Sequence, residues 1–170
     1  GEGGRGGVAG RGGVGGGRVR GGQGCGAVTH HMGQDGAARA GARANITVWQ
    51  READQNGLDA ILVTTSGCGT VVKDYGYLLR EDKAFAGPAQ RISALAKDIT
   101  EYLAGLELAP STQIGDVTVA YHSACSLQHG QKIPQLPKDL LSKNGLVATD
   151  VTASLPPPTL PKNKTVNHMA

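Results

Sequence analysis

Between Asp35 and Asp54 the apolar positions Ala38, Ala42, Ile46, Trp49 and Ala53 recur at steps of four, four, three and four, which is one face of a helix. Asn56-Gly57 supplies its C-terminal stop. The apolar run 60–64 follows as a buried strand, and Trp49 is expected to anchor the helix on the sheet. After the turn at Cys68, residues 72–80 fit a short helix, with Lys73 and Asp74 as a solvated pair at its start. Pro88 suits the first position of a longer helix with Ile92, Leu95, Ala96, Ile99 and Leu103 on one side. Residues 117–121 make the next strand, Pro137 opens a short helix that holds Leu140 and Leu141 and stops at Asn144-Gly145, and 146–151 is strand-like again. Helix and strand alternating at this spacing predict an α/β fold of βαβ units with a mostly parallel sheet.

Composition narrows where that fold sits. Of the 27 glycines among 170 residues, 14 lie in 1–24, and half of the 8 prolines lie in 156–161. Residues 1–24 are Gly/Arg low complexity with too few side chains to offset the entropy of ordering, so a disordered tail is expected there. Residues 154–170 read as an extended Pro-rich tail, leaving one domain over 25–153. Arg5, Arg11, Arg18 and Arg20 against Glu2 carry the whole net charge of +3, so the remainder of the chain is balanced. The tail offers an RNA-binding reading, since arginine pairs with phosphate and stacks on bases, but it lacks interleaved Phe or Tyr, and no nucleic-acid partner is expected. No apolar run approaches the roughly 20 residues of a membrane span.

The three cysteines carry the candidate chemistry. An odd count at wide spacing argues against a disulfide framework and for a reducing, cytoplasmic setting. Cys68 and Cys125 each follow a strand-like run in a loop of small residues, an arrangement that brings thiols to one edge of a parallel sheet. Gly67 and Gly69 flank Cys68 and let the backbone bend sharply; Cys25 lies between Gly24 and Gly26; His122 precedes Cys125 by three residues. Thiolates from separate loops suit an iron-sulfur cluster, and a Cys/His mixture suits zinc. A single cysteine is more often a small buried hydrophobe, and it is the repetition that favours ligation. His30, His31 and His129 read as surface imidazoles. A nucleophilic Cys68 at a helix start is the rival enzyme reading, although no matched His/Asp pair accompanies it.

Four segments together carry a family resemblance: Cys25-Gly26-Ala27-Val28-Thr29-His30-His31-Met32-Gly33, Ala42-Arg43-Ala44-Asn45-Ile46, Ser66-Gly67-Cys68-Gly69-Thr70-Val71-Val72-Lys73-Asp74-Tyr75-Gly76, and Tyr121-His122-Ser123-Ala124-Cys125-Ser126-Leu127-Gln128-His129-Gly130-Gln131-Lys132. In these, residues 24–151 resemble the iron-sulfur subunit of glycolate oxidase, within the cysteine-rich CCG region shared with heterodisulfide reductase-type subunits. The resemblance implies electron transfer from a flavin-containing subunit that oxidises glycolate to glyoxylate, within a complex of further subunits that associates peripherally with a membrane. It also implies a 4Fe-4S cluster with Cys25, Cys68 and Cys125 as ligand candidates and His122 beside them. The family has Cys-Cys-Gly where this chain has Gly24-Cys25-Gly26, a later Cys-Cys-Gly beyond Val151, and ferredoxin-type cysteine runs that are not found here. The resemblance therefore implies a truncated or frame-shifted fragment with an incomplete ligand set and doubtful independent activity.

Overall fold

The structure, a computed structural model, describes residues 24–109 and 117–151. The expected Gly/Arg and Pro-rich tails lie outside the described residues, apart from Gly24.

Helix α1 (Ala27–His31) starts at Gly26, whose φ of 83° only glycine adopts without strain. Helix α2 (Asp35–Asn56) runs as the apolar period predicts and ends at Gly57, φ 74°. Its inner face buries Ala38, Ala42 and Ile46, together with one polar residue, Asn45. Strand β1 (Ile61–Val63) then leads into α3 (Ser66–Lys73) and the single turn α4 (Tyr75–Leu78). The short helix expected over 72–80 is thus two helices, divided at Asp74. Lys73 is not paired with Asp74: its ammonium forms an ion pair with Glu101.

The long helix expected from Pro88 to Leu103 is broken. Helix α5 (Ala86–Leu95) gives way to strand β2 (Ala96–Asp98), and α6 (Ile99–Ala104) starts afresh. Two forces interrupt the apolar period. Ala96, Lys97 and Asp98 pair in parallel with Ile61, Leu62 and Val63. Asp98 also builds a capping box, its carboxylate accepting from Thr100 N while the Glu101 side chain accepts from Asp98 N.

Strand β3 (Val117–Tyr121) pairs in parallel with β4 (Leu146–Asp150), in register from Val117 opposite Leu146 to Tyr121 opposite Asp150. Helix α7 (Leu136–Lys143) carries Pro137 in its first turn and ends at Asn144, followed by Gly145 at φ 79°. The fold is α/β with parallel strands, but among the described residues they form two two-stranded sheets and not one.

One core cluster unites α1, α2, α3, α4 and α5 through Ala27, Ala42, Ile46, Val71, Val72, Tyr75, Leu79 and Ile92, with Ile61 and Ala96 from the first sheet. Trp49 does anchor α2, but on Tyr75: the rings stack at 6.2 Å and 22°. Ser93 stitches this region, accepting from Gly76 N and donating to the Val72 carbonyl.

Candidate functional site: a paired-thiol centre

Cys68 is the third residue of α3, in helical backbone and not in a loop. Gly67 and Gly69 are not in left-handed conformations, so the sharp bend expected of them is absent. Gly69 serves close approach instead: a Cβ there would lie 2.6 Å from Gln131 Nε2, which donates to the Ser66 carbonyl. Cys25 sits immediately before the Gly26 turn and packs against the buried cluster.

The two thiols are neighbours. Interaction with the Cys25 side chain, followed by burial and by the charge of Cys25, pushes the Cys68 thiol up from 9.0 to about 11. Burial likewise pushes the neighbouring Tyr75 phenol up to about 12, against the hydrogen bond from Asn45 and with added repulsion from Cys25 and Cys68. The Tyr75 hydroxyl reaches the backbone of the pair, donating to the Cys25 carbonyl at 2.8 Å.

Cys125 does not join them. It is exposed, directly before the single π-helical turn Ser126–Gly130, and no third Cys, His, Asp or Glu completes a metal-holding group among the described residues. Its segment nevertheless docks on the start of α3. Ser126 Oγ donates to Ser66 Oγ at 2.8 Å, Thr70 Oγ1 donates to the Ser126 carbonyl at 3.3 Å, and Gly130 packs against Thr70. His122 is exposed and lines a different feature, a largely apolar cleft of about 470 Å³ between the two sheets, shared with Thr64, Asp98, Leu103 and Leu141. His30, His31 and His129 are exposed, as expected; His30 pairs with Asp35 at 3.5 Å.

A thiol held near 11 keeps its proton at neutral pH, which is the reverse of what a cysteine nucleophile needs. Iodoacetamide reacts with thiolates, so a thiol pushed up from 9.0 to about 11 has about a hundredfold less reactive form, offset in part by the greater intrinsic nucleophilicity of a more basic sulfur. Alkylation of Cys68 is expected to run about tenfold slower than that of exposed Cys125 and to keep rising with pH towards 11. Cys25→Ala removes the leading cause of the shift and should accelerate it. Peptide mass mapping against time checks both; equal rates at Cys68 and Cys125 would contradict the paired geometry.

Sequence reasoning missed Asn45 and Tyr75, the buried polar groups bonded to the backbone at Gly24 and Cys25. The available signal was Asn45 itself, an amide on the apolar face of α2 at a position the period assigns to the core.

The fold and site define an α/β protein with two thiols from distant segments brought near one another. Over 130 residues, 76% of its length, the chain is 40% identical to the glycolate oxidase iron-sulfur subunit of Escherichia coli (strain K12), of which it covers 32%. It is 24% identical over 119 residues, 69% of its length, to the probable glycolate oxidase iron-sulfur subunit of Bacillus subtilis (strain 168), of which it covers 26%. The chain thus spans about a third or less of the length of the curated relatives it matches. No family profile and no solved structure match it. The resemblance to iron-sulfur subunits of glycolate oxidase, first carried by the motifs around Cys25, Cys68 and Cys125, is borne out over most of the chain.

Proposed function

We propose that the chain is part of the iron-sulfur electron-transfer subunit of a glycolate-oxidising complex. In this reading a flavin-containing partner takes two electrons from glycolate as it becomes glyoxylate, and residues 25–153 form the cysteine-rich unit that receives them. A bound 4Fe-4S cluster would supply one-electron storage, and Cys25, Cys68 and Cys125 are its ligand candidates. Two adjacent thiols fit two neighbouring ligand positions of a soft-metal centre. Cys125 and His122 stand apart from the pair, and the described residues do not complete the set. The pair is thus an incomplete site, and Cys125 together with groups beyond the described residues would supply the remaining ligands.

The observation that carries the reading is the meeting of Cys25 and Cys68, from segments 43 positions apart in the sequence, in a chain that is 40% identical to a protein named as an iron-sulfur subunit. Unpaired cysteines suit a cytoplasmic location, with any membrane association through the complex. No helix of the described residues is long and apolar enough to cross a membrane. Oxygen-free incubation with ferrous iron and sulfide, followed by analysis of bound iron and acid-labile sulfide, tests the proposal. Uptake is expected, and is expected to be lost in Cys25→Ser and Cys68→Ser; uptake indifferent to both substitutions would overturn it.

A further inference from the structure

Two polar side chains, both with no solvent exposure, converge on the backbone at Cys25. The Tyr75 hydroxyl donates to the Cys25 carbonyl at 2.8 Å. Asn45 Nδ2 donates to the Gly24 carbonyl at 3.2 Å and to the Tyr75 hydroxyl oxygen at 3.0 Å. Tyr75 is itself fixed by the stacked Trp49 ring and by the core formed with Ile46, Val72 and Ile92. On the other side of Cys25, the chain turns at once through Gly26 into α1. Burying a phenol and an amide among apolar groups is unfavourable unless each is paired, and both direct their bonds to the two carbonyls that set where the Cys25 side chain emerges. Tyr75 opens α4, one residue beyond the end of α3, which carries Cys68, so one short stretch of chain holds Cys68 and also grips Cys25.

We infer that Tyr75 and Asn45 are positioning residues that set the Cys25 thiol against Cys68 and make the pair a preorganised bidentate dithiol before any metal binds. The inference rests on the reading of Cys25 and Cys68 as ligands, but it concerns the geometry of the metal-free chain. Its consequence is chelation. Once one sulfur is bonded to a thiophilic centre, closure by the second is intramolecular, and the gain depends on how closely the two are held.

Phenylarsine oxide reads that spacing without iron. It condenses with two thiols to form two As–S bonds, the arsenic-bound oxygen leaving as one water with the two thiol protons and no change of oxidation state. The full chain is loaded with phenylarsine oxide under reducing, thiol-free conditions, the adduct is mapped by peptide mass, and retention is measured against rising 2,3-dimercaptopropanol. One arsenical bridging Cys25 and Cys68 is expected. Tyr75→Phe, which keeps the ring and removes the bond to the Cys25 carbonyl, is expected to lower by about tenfold the competitor concentration that strips half of it. Ile61→Val, buried in the same core but on strand β1, controls for loss of stability and is expected to leave retention unchanged. Retention in Tyr75→Phe equal to that of the parent chain, or an equal loss in Ile61→Val, would overturn the inference. So would an adduct that does not bridge Cys25 and Cys68. Tyr75-dependent capture in a chain that takes up no iron would uphold the positioning and sink the cluster reading instead.

Discussion

Tyr75→Ala is expected to cost about 3–5 kcal/mol of folding stability, the range for removing a buried aromatic side chain. Tyr75 has no solvent exposure, stacks on Trp49, and sits in the same cluster as Ile46, Leu79 and Ile92. Its loss would leave a cavity at the junction of α2, α4 and α5 and strip the Cys25 carbonyl and Asn45 of their shared partner. Small domains have a net stability of about 5–15 kcal/mol, so this one substitution removes a large fraction of the total. Urea unfolding followed by circular dichroism measures it. A loss below about 1 kcal/mol would mean that the aromatic is peripheral, and with it the wiring of the thiol pair to the core.

Gly130→Ala should separate the Cys125 segment from α3 while leaving the Cys25–Cys68 pair in place. A Cβ at Gly130 would stand 2.8 Å from Thr70 Oγ1 and 2.9 Å from Thr70 Cγ2. Thr70 has little room to yield, because its hydroxyl proton is shared between the Ser66 carbonyl at 3.0 Å and the Ser126 carbonyl at 3.3 Å. The π-turn must therefore move out, stretching the bonds from Ser126 to Ser66 and from Gln131 to Ser66, at a cost of about 1–3 kcal/mol for overpacking. Hydrogen exchange is expected to accelerate at the amides of Ser126–Gly130 and to stay unchanged in α2. Unaltered exchange at the π-turn would show that the glycine is not needed for the contact.

How far the sequence revealed this arrangement follows from which signals are local. Helix α2 is legible because its apolar period is intact and Asn56-Gly57 closes it; α7 is legible from Pro137 and Asn144-Gly145. The α/β class follows from the alternation. Strand β2 was hidden because Leu95, Ala96, Ile99 and Leu103 continue a helical period across it, whereas the pairing that makes it a strand is with Ile61–Val63, far away in sequence. The local warning was the capping box from Asp98 to Glu101, which marks a helix start inside what reads as a helix interior.

The site divides in the same way. Cys68 and Cys25 were legible as candidates from their glycine-flanked positions, but that they are the two that meet, and that Cys125 stays outside, depends on tertiary contact. The glycines beside Cys68 were legible as functional, yet for another reason: Gly69 admits the Gln131 side chain, and no left-handed turn occurs there. His122 illustrates the limit of proximity in sequence. It is three residues from Cys125, yet it lines the cleft between the two sheets, to whose lining neither thiol of the pair contributes.

The central claim is that Cys25 and Cys68 act together as soft-metal ligands for iron-sulfur chemistry. The most direct measurement is the metal content of the oxygen-free chain offered ferrous iron, sulfide and zinc at equal concentration. The account predicts bound iron with matching acid-labile sulfide, little zinc, and loss of both iron and sulfide in either Cys25→Ser or Cys68→Ser. Zinc in place of iron, or iron retained when both cysteines are replaced, would contradict it.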